Sequence, residues 1–186
     1  MNIVVCVKYV PDAQSDRTFN AEDNTTDRAN VDGLLSEIDE YAVEEALRLA
    51  EAHEGEVTVL TVGPERAADA LKKALQMGAD KGVHVCDDAI HGSDAAATSL
   101  VLAGAITKAT GGSPELVLMG MSSTDGVMGV VPAMVAERLG VPQVTFASEL
   151  TIEGGRVRAR RDGDTASDTI EASLPALLGG LVMTVQ

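Results

Sequence analysis

Short unbroken apolar runs alternate along the chain with longer stretches in which apolar residues recur every three or four positions, a pattern that predicts strands and helices in turn. "NIVVCVKYV" (2–10) is continuous enough for a strand buried on both faces. From Pro11 to about Leu35 the chain turns polar without clear periodicity, and a connection that long is functional or flexible. It reads either as disordered or as a small hairpin pairing Thr18-Phe19 with Thr25-Thr26 around "NAEDN". Ser36 is placed as an N-cap, with Asp39 where a capping box carries Glu. The helix runs to about His53 on a stripe of Ile38, Ala42, Ala46, Leu49 and Ala50, and Gly55 ends it.

"EVTVLTV" (56–62) is a second strand, and Gly63-Pro64 turns into the helix "ERAADALKKALQMGA", stopped by Gly78. "KGVHVCD" (81–87) is a third strand, after which Ser93 or Asp94 caps an Ala-rich helix reaching about Thr110. Gly111-Gly112-Ser113-Pro114 precedes the fourth strand, "ELVLMG". Beyond Gly140, "QVTFASELTIEGGRVRARR" holds two strand-like runs around Gly154-Gly155, a hairpin signal. "DTIEASLPALLGGLVMTV" adds one more strand and an apolar tail. The alternation predicts a single α/β domain over 1–186. Its architecture is three-layer α/β/α on a mainly parallel sheet, Rossmann-like, with a C-terminal antiparallel hairpin.

Composition narrows the chemistry. The chain is 45% hydrophobic but 2% aromatic, so Ala, Val, Leu, Ile and Met must build the core. A formal charge of −15 argues against nucleic-acid binding, and any bound phosphate must rest chiefly on main-chain N–H groups. No apolar run approaches the roughly 20 residues of a membrane span and no secretory signal opens the chain, so a cytoplasmic protein without membrane insertion is expected. Cys6 and Cys86 sit in apolar runs and read as buried free thiols. His53, His84 and His91 lack ligand spacing, so no metal site is expected.

One stretch stands apart: "LVLMGMSSTDGVMGVVPAMVAERLG" (116–140). Pro132 fits only the first turn of its helix, which therefore starts near Val130 or Val131. Gly120 to Gly129 is then a loop delivered to a helix N-terminus, where unpaired N–H groups and the macrodipole favour an anion. Ser122, Ser123 and Thr124 add hydroxyls, while Gly126 and Gly129 admit close backbone approach. The alternative is a plain βα turn with capping hydroxyls. Val127, Val130, Val131, Met134 and Val135 read as a core-facing stripe. There is no GxGxxG, no P-loop and no assembled catalytic set, so the chain is not expected to be an enzyme. Nor is a Lys or His found in the cradle to steady a leaving pyrophosphate.

Over nearly its whole length the chain resembles the β subunit of electron transfer flavoproteins. The resemblance rests on "NIVVCVKYVPD", "EIDEYAVEEALRL", "VTVLTVGPERAADALKKALQMGADKGVHV", "LVLMGMSSTDG" and "PQVTFASEL" in that order, with "RRDGD" and "IEASLPAL" following the C-terminal signature imperfectly at Asp168. It implies an adenine-nucleotide-binding α/β domain that pairs with an α subunit, the two shuttling electrons from acyl-CoA or other dehydrogenases to a quinone-linked oxidoreductase. The α subunit would hold most of the redox FAD and this chain a structural AMP. By position, AMP would lie along Gly120 to Val131, Met121 and Asp125 included. Cys6, the run Ser36, Glu37, Ile38 and Asp39, and Val62 match the remaining contacts.

Met128 and Val130 stand where electron-bifurcating members carry a Thr and a Gln that touch a second FAD, which favours AMP here. Ala13 stands where some relatives place a Tyr near the flavin. The chain ends in "LLGGLVMTVQ" where the family continues through an extension that reaches toward the α subunit and carries the loop that docks dehydrogenases, so a C-terminally shortened form without that docking extension is expected. A stand-alone adenine-nucleotide-binding regulatory protein of the same shape is the competing reading.

Overall fold

The computed structural model describes residues 1–112 and 114–180. The first apolar run is two elements: β1 (Asn2–Cys6) and, after a short break, β2 (Tyr9–Pro11), which pairs antiparallel with β3 (Gly33–Leu35) in a separate ribbon. Gly33 leaves the space that the Tyr9 ring fills, since a Cβ would fall 2.3 Å from it and force the ring to shift. The polar segment between β2 and β3 closes on itself through an antiparallel bridge, Phe19 to Thr26, at the site of the expected small hairpin.

Then follow α1 (Glu37–Ala52), β4 (Glu56–Val62), a 3-10 turn (Glu65–Ala67), α2 (Ala68–Met77) and β5 (Lys81–Val85). A second 3-10 turn (Asp88–Ile90) leads into α3 (Ala95–Thr110), and β6 (Leu116–Met119) and α4 (Val131–Leu139) complete the alternating part. α1 ends before Gly55: His53 is its C-cap, and Glu54 takes the left-handed conformation at φ 50°.

All six strands of the central sheet are parallel, in the order β5-β4-β1-β6-β11-β7, with β7 at Gln143–Thr145 and β11 at Ala176–Gly179. Strand alternation serves two cores. Ile3 and Val5 share one core with Ala42, Val43 and Ala46 of α1 and Leu71 of α2, whereas Val4 and Cys6 share the other with Leu102 and Ile106 of α3 and Val135 of α4. The fold is thus three-layer α/β/α, as expected.

The C-terminal part departs from expectation. β8 (Glu149–Glu153) and β9 (Arg156–Asp162) form the hairpin, turned by Gly154 and Gly155 at φ 57° and 73°. β10 (Ser167–Ser173) then pairs with β9, giving three antiparallel strands rather than two. What reads as one strand with an apolar tail is therefore two strands in different sheets, separated at Leu174-Pro175, since proline supplies no ladder donor. β11 runs between β6 and β7. The rest of the expected tail, 181–186, lies outside the described residues. Cys6 is buried as expected, but Cys86 is exposed, because it lies just past the end of β5.

Candidate functional site

From β1 the chain winds outward through β4 to β5, and then returns to place β6 on the other side of β1. Such a reversal leaves a crevice at the carboxyl ends of the strands, where the two crossovers diverge. A cavity of about 300 Å³ occupies that position, within the range of small-molecule sites. Its walls come from the ends of β1 (Cys6, Val7, Lys8), β4 (Val62) and β6 (Met119 to Ser123), and from the first turns of α3 and α4.

The inner wall is fixed by Asp39. Its carboxylate accepts the Lys8 N–H at 2.8 Å and the Gly120 N–H, so it ties the end of β1 to the end of β6. Gly120 leaves just enough room, because a Cβ there would sit 2.3 Å from the Asp39 carboxylate. Burial pushes the Asp39 carboxyl up to about 7, against the pull of its N–H donors and the Lys8 charge. Burial, with the Asp39 charge behind it, likewise pushes the Cys6 thiol up to about 12, so this cysteine is an inert wall residue. The expected capping box does not form, since Asp39 faces these main-chain groups and Ser36 makes no side-chain cap. The Ser36 hydroxyl is buried without a hydrogen-bond partner among the described residues.

The outer wall is the loop of residues 120–130, held by charge. Asp125, whose side chain is 3% exposed, accepts from Lys8 Nζ at 2.9 Å and from Arg28 Nη2 at 2.5 Å. Burial alone would raise its carboxyl, but Lys8, Ser123 and Arg28 hold it well below the usual carboxylate range. The Gly126 N–H donates to Asp125 Oδ1 at 2.7 Å, Lys8 Nζ reaches Ser123 Oγ at 3.3 Å, and Arg17 donates to the Thr124 carbonyl at 2.7 Å. The acidic composition thus conceals a local gathering of cations, and the cradle contains a lysine after all.

Two helix N-termini meet the cavity, and they differ. At α3 the Asp94 carboxylate accepts the Ala97 N–H at 2.8 Å, capping the helix and placing a negative charge there. At α4 the N-cap is Val130, which has no capping side chain, and Pro132 follows in the first turn. Among the described residues, the first-turn donors of α4 thus have no capping side chain beside the cavity, the arrangement that receives an anion. The apolar floor of Cys6, Val62, Leu102 and Met119 offers a surface for a flat ring.

Of the residues singled out by sequence, Cys6, Asp39 and Val62 line the cavity. So do Gly120, Met121, Ser122, Ser123 and Gly126, and further along Met128, Gly129 and Val131. Ser36 and Ile38 lie behind the wall and Glu37 is exposed. Thr124 and Asp125 do not line the cavity: the Thr124 carbonyl accepts from Arg17, and Asp125 accepts from Arg28 and from Lys8, which does line it. Val127 and Val130 are 68% and 38% exposed, so they leave the expected core stripe. The reason is local: Val127 closes a turn onto the Ser123 carbonyl with φ 51°, which aims its side chain outward. Sequence reasoning missed Lys8 and the start of α3. A lone cation ending an apolar strand was the available signal for the first, and the Ser93-Asp94 cap for the second. Among the described residues, no group of three or more His, Cys, Asp or Glu side chains is arranged to hold a metal, and no helix is long and apolar enough to cross a membrane.

Known proteins share this sequence closely. The family described as "Electron transfer flavoprotein domain" matches residues 23–179. Electron transfer flavoprotein subunit beta of Mycobacterium tuberculosis (strain ATCC 25618 / H37Rv) is 50% identical over 95% of this chain and 68% of its own length. Protein FixA of Azorhizobium caulinodans is 38% identical over 99% of this chain and 67% of its own. The Clostridium acetobutylicum electron transfer flavoprotein subunit beta is 36% identical over 96% and 67%. On sequence and fold together, the chain belongs to the electron transfer flavoprotein family, on its β-subunit branch.

Proposed function

We propose that this chain is a single nucleotide-binding domain that carries a structural AMP and, paired with an α subunit, helps hold that subunit's FAD. The pair passes electrons from dehydrogenases to a quinone-linked oxidoreductase. The observation that carries the reading is the uncapped N-terminus of α4 opening on an apolar-floored cavity at the sheet's switch point. The site fits an adenylate in kind, with main-chain donors and Lys8 at one wall and a floor for an apolar ring. FAD would supply the redox chemistry, and this chain's residues bind, orient and exclude water. Met128 lines the cavity, and its thioether offers a second flavin no hydrogen-bond donor, which favours AMP.

Co-expression with the α subunit, followed by heat release and mass analysis of the nucleotides, tests this. One AMP and one FAD per heterodimer are expected. A heterodimer that assembles without AMP, or with two FAD, overturns the AMP assignment. A colourless chain that joins no flavin-bearing partner overturns the whole.

A further inference from the structure

The segment between β2 and β3 makes a connection that the reading above does not use. Arg28 reaches from it to Asp125 on the cavity loop, 97 positions away in sequence. Arg28 borders a narrow crevice with Tyr9, Pro11, Val31 and Gly33; its side chain is 30% exposed, while its Nη1 is buried without a partner among the described residues.

The charge arrangement shows what it accomplishes. Asp125 touches two cations, and only one of them, Lys8, also lines the cavity. With Asp125 facing Lys8 alone, the pair would be neutral and the carboxylate, 3% exposed and weakly screened, would repel an incoming phosphate. Arg28 offsets that carboxylate, so the Lys8–Asp125–Arg28 set by itself carries one net positive charge at the cavity edge, across from the cavity-lining Asp39 and Asp94. The ammonium has three protons, of which Asp125 and Ser123 take two, leaving one without an acceptor among the described residues.

We propose that Lys8 is a phosphate-facing cation of this site and that Arg28 is the positioning residue that makes it one, by neutralising Asp125. This rests on the nucleotide reading above and adds the residues that set its preference for an anionic ligand. It distinguishes charge balance from simple scaffolding. If Arg28 only braced the loop, removing Asp125 as well would do further damage. If it balances charge, removing Asp125 repairs the defect.

The test is calorimetric titration of AMP, and separately of inorganic phosphate, into nucleotide-stripped protein. Arg28→Met is expected to weaken AMP roughly tenfold, the scale of one charge-assisted contact. Arg28→Lys should keep most of the affinity, and Asp125→Asn added to Arg28→Met should restore it. Asparagine keeps the carbonyl that receives the Gly126 N–H, so the loop turn survives. Unchanged AMP affinity in Arg28→Met, or a double variant that binds AMP no better than Arg28→Met, overturns the inference while leaving AMP binding intact. Phosphate binding that weakens in Arg28→Met, with no AMP binding in any form, supports the inference and overturns the nucleotide assignment. Binding of neither overturns both.

Discussion

At Gly120 the absence of a side chain has a measurable value. The position is filled by the Asp39 carboxylate, and any Cβ must displace it or Ile38. Gly120→Ala is therefore expected to lower stability by about 2–3 kcal/mol, the range of a buried polar contact broken by overpacking, and to reduce copurifying nucleotide. Chemical denaturation with mass analysis of the released ligand checks both. Asp39 itself gives a pH signature. Its folded value, about 7, lies above the unfolded 3.8. The folded state thus keeps a proton that the unfolded chain has lost, and Asp39's contribution falls as pH rises from about 4 to about 7, then levels. Asp125 works in the opposite sense, because its carboxyl is lowered: its contribution is present above the ordinary carboxylate range and is lost as pH falls through it. The difference in urea midpoint between wild type and Asp39→Asn, followed from pH 4 to 8, should trace the first decline. A flat difference refutes the assignment.

Elements explain why two helices beside one cavity behave differently. α3 carries its own anion in Asp94, and α4 leaves its first turn open behind Val130 and Pro132. Asp94→Ala should cost about 1 kcal/mol and Asp94→Ser much less, since serine retains a capping oxygen. Thermal unfolding of the two variants separates them. The elements also show where sequence reading succeeds. β4, α1 and α4 were legible because an unbroken apolar run, a helical stripe and Pro132 mark them, although neither helix gains a side-chain cap. The split of 143–161 into β7, β8 and β9, and of 168–179 into β10 and β11, was not. Strand propensity is blind to which sheet a strand joins, and Phe146, at φ 59°, turns the chain between sheets with no glycine to announce it. The loop of the site was readable from its glycines and hydroxyls. Arg17 and Arg28 were not, and Lys8 only as a lone cation in an apolar run, because three cations spread along the N-terminal part meet residues 123–125 only once the fold is made.

Over the whole molecule, the two cores share a sheet whose middle strands are buried on both faces. Leu178 of β11 is fully buried against the same core as Ile3 and Leu116. Leu178→Ala should therefore cost about 2–5 kcal/mol, as for a methyl-rich side chain removed from a packed interior, with the loss read from the denaturation midpoint. A loss below about 1 kcal/mol would mean that this strand is peripheral, contrary to its place between β6 and β7.

That place has a consequence for how the protein is made. On the ribosome, β6 emerges long before β11, and the antiparallel three-stranded sheet is synthesised between them. Until Ala176–Gly179 arrives, the nascent sheet presents β6 as an open apolar edge, the kind of surface on which chains stick to one another. Any translational stop before that strand would thus release an aggregation seed rather than a smaller working domain.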